Sequence, residues 1–268
     1  MKNFPSERLS PLKIIWLDMT GDFESVDHTV DVTINSPDAR KVFRVGLPDK
    51  DWTLADIVPL ARILSDTIIQ QVITDHTPEV LCKQGCSKCC RYFISLSIPE
   101  VARLSQEIQS KPHQQQEQII HACLAASKCI LDKRLSQNDL NITSISKWYD
   151  DLNLACPFLQ DDLCSIYDQR PFVCREHFVT GTLPCGSNQY SDNEMVRMPV
   201  DISNAMAKLA SALEARETEF IALPIFVAWL MDNEQRVQQK WPAQLIVRTL
   251  AQVIHELEQV NNVVPIGV

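Results

Sequence analysis

The stretch Cys82-Lys83-Gln84-Gly85-Cys86-Ser87-Lys88-Cys89-Cys90 carries four of the ten cysteines in this 268-residue chain. Four thiols so close together are hard to explain by core packing, whereas metal sites regularly use closely spaced cysteines. In a loop, Cys86 and Cys89 can chelate one ion, and Gly85 supplies turn freedom beside them. On a helix, Cys82, Cys86 and Cys89 would share one face. The stretch therefore indicates one part of a metal centre.

A second, looser set of cysteines follows further along the chain. We predict that both sets bind the metal, the ligands being Cys82, Cys86, Cys89, Cys90, Cys156, Cys164, Cys174 and Cys185. The second set contains no C-x2-C pair, which departs from a zinc ribbon of two such knuckles. Thiolate ligands suit zinc or an iron–sulfur cluster and exclude magnesium or calcium. The expected cofactor is therefore zinc or an iron–sulfur cluster.

Cys90 directly follows Cys89, and the side chains of neighbouring residues are expected to diverge. We therefore expect Cys90 to bind a second metal, to cap the edge of a cluster, or to pack. The spacing Cys82-x3-Cys86-x2-Cys89 is also the one that radical S-adenosylmethionine enzymes use for a four-iron cluster. Those enzymes need a following run of βα units, which this sequence lacks.

Polar residues around Cys174 are candidates for a role at the same centre. His177 is expected to hydrogen-bond near the site, and the alternative is that it acts as a ligand or proton carrier. Arg170 and Arg175 flank Cys174. They either donate to thiolate sulfur or pair with nearby acidic residues: Asp161, Asp162 and Asp168.

Other residues near the cysteines are expected to pack rather than to take part in chemistry. Tyr167 and Phe172 belong to this group. Cys123 and Cys129 lie on the apolar pattern of a predicted helix, and free cysteine is often a core residue. We therefore leave both out of the ligand set.

Composition narrows the class of protein. The formal net charge is −9, and no block is rich in Lys or Arg, which argues against partners such as nucleic acid or an anionic membrane. Only six glycines are present, and there is no P-loop, which disfavours a nucleotide site built on a glycine-rich loop. The first residues contain no apolar signal region, and the apolar run 220–231 is too short to span a bilayer. We therefore expect a cytoplasmic chain with reduced thiols and a metal ion as partner, a protein partner being a further option.

The sequence patterns, taken in order along the chain, predict a mainly α fold with a small N-terminal antiparallel β-sheet and a cysteine-rich metal-binding loop region. Runs of β-branched and aromatic residues predict the strands, at 13–19, 28–34 and 41–47. Thr53 and Ser97 resemble helix N-caps. Apolar spacing predicts helices over about 53–73, 98–110, 119–131, 136–153, 202–213, 223–230 and 246–254. A Gln-rich stretch, 113–118, leads into the third. We expect a β-rich segment at 1–50 and a helical cysteine-cluster domain at 51–268, forming one compact unit with its metal-binding region at 80–187.

The cysteine motifs carry a resemblance to a known family. The first motif is Cys82 to Cys90, followed by Ser97-Ile98-Pro99-Glu100. The second comprises Cys156-Pro157-Phe158-Leu159, Cys164-Ser165-Ile166-Tyr167, Arg170-Pro171 and Cys174-Arg175-Glu176. In these motifs the chain resembles the YkgJ-type cysteine-cluster proteins over about residues 80–187. The resemblance implies that the clustered cysteines chelate zinc or iron.

Three hypotheses about function follow from these patterns. The leading one is a cytoplasmic metal-binding protein with a cysteine-ligated zinc or iron–sulfur centre. The second is a metal- or iron–sulfur-dependent enzyme that modifies a protein, since the flagellin lysine methylases carry a similar cysteine cluster; no methyl-donor motif is recognisable in this sequence. The third is a protein-interaction module whose loops are held together by the metal.

Overall fold

The computed structural model describes residues 13–16, 28–36, 39–75, 80–83, 85–133, 142–180 and 194–263. Helices dominate these ranges and the strands are short, which confirms the predicted fold class. The cysteine-rich stretch at 82–90 lies in a loop region, also as predicted. Cys185 and the Gln84 position lie outside the described residues.

Strands and α-helices of the described part are numbered in chain order. The strands are β1 Lys13–Trp16, β2 His28–Ser36, β3 Ala39–Leu47, β4 Asp51–Thr53, β5 Ser95–Leu96, β6 Leu159–Gln160, β7 Leu163–Cys164, β8 Val179–Thr180, β9 Glu194–Met195, β10 Ile221–Ala222 and β11 Lys240–Pro242. The helices are α1 Val58–Asp75, α2 Ile98–Gln109, α3 His113–Asp132, α4 Ile142–Leu152, α5 Phe172–Glu176, α6 Ile202–Glu214, α7 Phe226–Asp232, α8 Glu234–Val237 and α9 Ala243–Val263.

The N-terminal sheet contains the three predicted strands in the order β1-β3-β2. Strands β2 and β3 pair antiparallel along their whole length. Strand β1 joins β3 in parallel, so the sheet is mixed, a detail that the strand patterns did not indicate. Along β2, Val30, Val32 and Ile34 alternate with more exposed residues and are buried, as expected for a strand with one face on the core.

Helix α9 packs against β2 on one side and α6 on another, and the buried residues of all three belong to one hydrophobic core. A polar contact also joins the sheet to this helix. The Glu258 side chain, buried in α9, accepts hydrogen bonds from the Asn35 backbone N–H at 2.6 Å and from Asn35 Nδ2 at 2.7 Å. Two donors on one carboxylate hold the end of β2 against α9.

We expect Glu258→Ala to lower the free energy of unfolding by about 2 kcal/mol, because it removes two hydrogen bonds to a charged acceptor. Urea denaturation monitored by circular dichroism measures this change. Glu256 lies on the exposed face of the same helix, so Glu256→Ala is the matched control and is expected to change stability by less than about 0.5 kcal/mol. Equal effects of the two substitutions would contradict the prediction.

The chain reaches the cysteines through a capped helical segment. The Asp56 side chain accepts from the Thr53 backbone N–H at 2.7 Å and from the Thr53 hydroxyl at 2.8 Å. A 3-10 turn, Leu54–Ile57, follows and continues into α1. Pro59 lies in the first turn of α1, where its missing N–H costs nothing. These features agree with the predicted helix start at Thr53.

Helix α2 begins at the predicted capping box, in which Glu100 accepts from Ser97. Helix α3 begins earlier than predicted, because the Gln-rich stretch 113–118 is itself helical. Gln is a good helix former, and Gln116 Nε2 closes the turn between α2 and α3 by donating to the carbonyls of Gln109 and Lys111. In α3, Cys123 is fully buried and Cys129 is half-buried.

The apolar run 220–231 is shorter as a helix than its composition suggests. Its first part forms β10, which pairs with β5, and a 3-10 turn, Leu223–Ile225, precedes α7. Pro224 in that turn has no N–H to donate to a longer helix. None of the helices among the described residues combines the length and apolarity needed to cross a membrane.

Candidate metal centre

The first cysteine loop is built from tight turns. Gly85 has a φ of +87°, the conformation that glycine adopts without strain, as the sequence predicted. The Cys86 backbone N–H donates to the Lys83 carbonyl at 3.1 Å, which closes the turn around Gly85. A 3-10 turn, Lys88–Arg91, then carries Cys89 and Cys90. The loop conformation, rather than the helical alternative, therefore presents the thiols.

The residues that precede Cys82 pair with β8 in the manner of a strand. Val80 forms a β-bridge with Thr180, and the Leu81 N–H donates to the Val179 carbonyl at 2.9 Å. The Val179 N–H in turn donates to the Cys82 sulfur. This pairing places Cys82 beside the chain that leaves α5.

The second cysteine segment contains a two-residue hairpin. Strands β6 and β7 pair so that Leu159 faces Cys164, and the turn residues Asp161 and Asp162 have φ values of 48° and 60°. Positive φ at both central positions is typical of a type I′ turn, which fits the twist of a hairpin. The turn brings Cys164 back towards Cys156.

Cys156 and Cys164 share one local arrangement. The sulfur of each accepts a hydrogen bond from the backbone N–H two residues later, that of Phe158 and that of Ile166 respectively. Backbone N–H groups directed at sulfur stabilise thiolates and tune sulfur-ligated metals. The two loops are therefore shaped to present sulfur as a hydrogen-bond acceptor.

The two cysteine segments meet in the folded chain. The Cys156 backbone N–H donates to the Cys90 carbonyl at 2.7 Å, across 66 positions of sequence. The loops also approach through their side chains, since Ser87 Oγ lies 3.5 Å from an Asp162 carboxylate oxygen. The backbone therefore brings the two cysteine segments next to each other.

Cys89 acts electrostatically on thiols of both cysteine segments. Its sulfur hydrogen-bonds to that of Cys90, so the two adjacent side chains do not diverge as expected. The thiols on which Cys89 acts in this way are those of Cys82, Cys156, Cys164 and Cys174. Cys86 acts on Cys82 in the same way. Seven predicted ligands therefore share one region, and the eighth, Cys185, lies outside the described residues.

The environment of these thiols disfavours negative charge. Burial raises the pKa of Cys156 to about 12 and that of Cys174 well above its ordinary value. The pKa of Cys89 is raised first by its hydrogen bond to Cys90 and then by burial. Because a bound cation deprotonates a coordinating thiol outright, a metal ion is the partner that would reverse this preference.

The two arginines beside Cys174 have different roles. Arg175 is buried; its guanidinium pairs with Asp66 and donates to the Asp168 carbonyl, so it does not pair with the acidic side chains that the sequence suggested. Arg170 lies over the Tyr167 ring, 4.1 Å from its centroid. Burial raises the pKa of the Cys82 and Cys164 thiols, and Arg170 partly offsets that rise. Arg170 is thus the arginine whose charge acts on these two thiols.

Two glutamates, the buried Glu100 and the half-buried Glu176, position the second cysteine segment, and the sequence assigned neither this role. Glu100 accepts from the Phe172 N–H at 2.8 Å, which joins the start of α2 to the start of α5. Glu176 accepts from the Ile202 N–H at 3.2 Å, at the start of α6, and burial raises its pKa to about 8. Glu100 can be recognised from the sequence as part of a capping box, but its contact with Phe172 and that of Glu176 with Ile202 depend on the fold.

His177 lies near the first loop. Its ring meets that of Tyr92 edge-on, with centroids 5.8 Å apart. Burial lowers the pKa of His177, which favours the neutral imidazole that metals bind. Ligation by His177 stays a prediction.

The donor set fits a thiophilic metal. Thiolates select zinc, iron–sulfur clusters and other soft metals, and the loops supply N–H groups to the sulfurs. Two of the three buried polar atoms that lack a hydrogen-bond partner in the described part, Ser165 Oγ and Arg170 Nε, lie in the second cysteine segment. Among the described residues, no group of three or more Cys, His, Asp or Glu side chains is arranged so that it could hold a metal ion. The chemistry of the donors, rather than a finished coordination shell, supports metal binding.

Comparison with known proteins also supports metal binding. Residues 81–199 match the CxxCxxCC family model, described as “Putative zinc- or iron-chelating domain”. This range contains all eight predicted ligands. No curated protein and no solved structure matches the chain. The match supports a zinc- or iron-chelating function for the cysteine-rich region.

Proposed function

We propose that the chain is a cytoplasmic metal-binding protein of the YkgJ type, with a zinc or iron–sulfur centre bound by the clustered cysteines. The ligands that we propose are Cys82, Cys86, Cys89, Cys90, Cys156, Cys164, Cys174 and Cys185. The observation that carries the proposal is the meeting of the two loops at the Cys156–Cys90 backbone hydrogen bond, with thiols from both loops around Cys89. The nine described cysteines are free thiols, which accords with a reducing compartment.

The proposal extends to the organisation of the chain. We infer that the β-rich segment 1–50 and the helical domain 51–268 fold as one unit around the metal-binding region 80–187. The shared core of β2, β3, α6 and α9 supports this inference. Because Cys156, Cys164 and Cys174 pack against that core, the centre would be attached to a fold that has ample apolar packing of its own.

Eight thiolates are enough for two four-coordinate zinc ions or for one four-iron cluster with further thiols around it. The ratio of metal to protein and the metal's identity therefore decide between these forms.

A catalytic version of the centre would need His177, Glu176 or Arg175 free to face a substrate pocket. Arg175 is engaged with Asp66, and Glu176 accepts from the N-terminus of α6. These contacts give both side chains a structural role. A catalytic version would therefore depend on His177, and metal binding, which needs none of the three, is the function that we propose.

Protein purified without oxygen is expected to contain at least about one equivalent of zinc plus iron, because cysteine thiolates bind such metals tightly. Elemental analysis measures the amount, and a visible absorption spectrum distinguishes brown iron–sulfur protein from colourless zinc–thiolate protein. A sum below about half an equivalent would reject the proposed function. Protein denatured in a chelator and refolded without metal is the control for adventitious binding.

A further inference from the structure

The short turn that joins β7 to α5 cannot satisfy its own carbonyl groups. Residues Tyr167–Gln169 form a 3-10 turn, in which an N–H group bonds to the carbonyl three positions earlier. The residue in position to bond to the Asp168 carbonyl is Pro171, which has no N–H. The residue in position to bond to the Gln169 carbonyl is Phe172, whose N–H donates to the glutamate of the α2 capping box instead. These carbonyls therefore need donors from elsewhere in the chain.

Two arginine side chains supply the donors. Arg175 donates to the Asp168 carbonyl through Nη2, and its Nε donates to the Arg170 carbonyl at 3.3 Å. Arg62 donates to the Gln169 carbonyl at 2.9 Å. Three successive backbone carbonyls thus accept hydrogen bonds from guanidinium groups. We call this pair of side chains, Arg62 and Arg175, the arginine clamp.

Both arms of the arginine clamp are anchored on α1. Arg62 belongs to α1 and pairs with Glu107 of α2 through two hydrogen bonds, at 2.5 and 3.2 Å. Arg175 pairs with Asp66, which lies four residues after Arg62 and therefore on the same face of α1. The side chains of Arg62, Arg175 and Glu107 are at most 16% exposed, so solvent screens their contacts little. The turn is thus held against α1 by contacts that involve no cysteine side chain.

We propose that the arginine clamp preorganises the second cysteine segment for metal binding: it fixes the turn between Cys164 and Cys174, so that both thiols are in place before a metal ion arrives. The proposal rests on the proposed function. A loop that must be ordered on binding weakens that binding, because the apparent dissociation constant is the intrinsic one divided by the fraction of molecules in the competent conformation. Arg62 and Arg175 are therefore positioning residues and bind no metal themselves.

Competition between zinc-loaded protein and a chromophoric zinc chelator, without oxygen, tests the clamp through Arg62. Arg62→Met removes the bond to the turn and is expected to lower zinc affinity by about tenfold, as it would if about one molecule in ten kept the turn in place. Arg103 is the matched control, because it pairs with the same Glu107 carboxylate at 2.9 Å and is similarly buried. Arg103→Met leaves the Arg62–Gln169 bond in place and is expected to bind zinc within about twofold of the wild type.

Amide hydrogen exchange of the metal-free protein measures the positioning directly. The Gln169 N–H, which donates to the Ile166 carbonyl at 2.9 Å, reports on the turn. In Arg62→Met this amide is expected to exchange about tenfold faster than in Arg103→Met, and saturating zinc is expected to restore its protection. A merely structural contribution would instead speed exchange in both variants alike and throughout the fold, including α9.

The outcomes separate the two proposals. Wild-type protein that retains neither zinc nor iron overturns the proposed function. Wild-type protein that binds zinc, with Arg62→Met within about twofold of Arg103→Met in affinity, overturns the role of the clamp alone. Unchanged exchange of the Gln169 amide in Arg62→Met also overturns that role.

A second variant keeps the test decisive if circular dichroism shows that Arg62→Met does not fold. Asp66→Asn weakens the anchor of Arg175, and the Asp66 side chain is 59% exposed, a position that tolerates substitution. This variant is expected to lower zinc affinity by at least about threefold. Wild-type affinity in Asp66→Asn overturns the proposal.

Discussion

The Cys89→Ser variant is expected to lose most of its bound metal, with an affinity lower by roughly two to three orders of magnitude. A structural zinc site binds with about 10–16 kcal/mol, so one of four thiolates accounts for roughly 3–4 kcal/mol. Cys89 should show this loss in full, because its thiol lies near those of Cys82, Cys156, Cys164 and Cys174. Metal content after gel filtration against a chelator measures the effect.

Two further variants make this experiment specific. Cys129→Ser makes the same change at a half-buried thiol of α3 outside the predicted ligand set, and it is expected to keep its metal. Cys90 hydrogen-bonds to Cys89 and could take over its place, so the double variant Cys89→Ser/Cys90→Ser is expected to lose at least as much metal as the single one. Full metal content in the double variant would contradict the proposal that Cys89 and Cys90 are ligands.

Glu100→Ala is expected to lower the free energy of unfolding by about 3 kcal/mol or more. One carboxylate oxygen accepts from the Ser97 N–H at 2.8 Å and from the Ser97 hydroxyl at 2.7 Å, and the other accepts from the Phe172 N–H at 2.8 Å. Alanine leaves three buried donors unpaired, each costing about 1–3 kcal/mol if it finds no other partner. Denaturant unfolding measures the loss.

The same substitution is expected to weaken metal binding, because the Phe172 N–H begins the short helix that carries Cys174. Glu100→Gln is the matched variant: it keeps one carbonyl oxygen as an acceptor for Ser97 and loses the acceptor for Phe172. It should therefore cost about half as much stability as Glu100→Ala. If Glu100→Gln were as stable as the wild type, the link between α2 and α5 would contribute nothing measurable.

Local signals explain what could be predicted from the sequence. Capping boxes at Thr53 and Ser97 depend on residues three apart, and both are present. The conformation of Gly85 depends on a single missing Cβ. The apolar periodicity of β2 and the helices depends on one face of each element being buried. Such features need no knowledge of distant parts of the chain.

Distant contacts explain the errors. Arg175 was expected to interact with thiolates or with neighbouring aspartates, yet its partner Asp66 lies 109 positions away in α1. Apolar spacing predicts a helix from residue 223, but α7 begins only at Phe226, after β10, which pairs with β5, and a 3-10 turn. The parallel addition of β1 to β3 also depends on how two separated strands meet. In each case a long-range partner competes with the local preference, and the sequence pattern does not reveal which one wins.

The Cys82–Cys90 stretch shows what the sequence alone determines and what the tertiary structure decides. Its residue types and spacing alone determine that soft sulfur donors are concentrated in one short stretch, because donor chemistry belongs to side chains and not to the fold. The tertiary structure decides which further groups join them. The Cys156–Cys90 hydrogen bond brings in the second segment, Glu100 and Glu176 hold α5, and Arg175 pairs with Asp66 of α1. Each of these depends on surfaces that meet only when the helices pack around their common core.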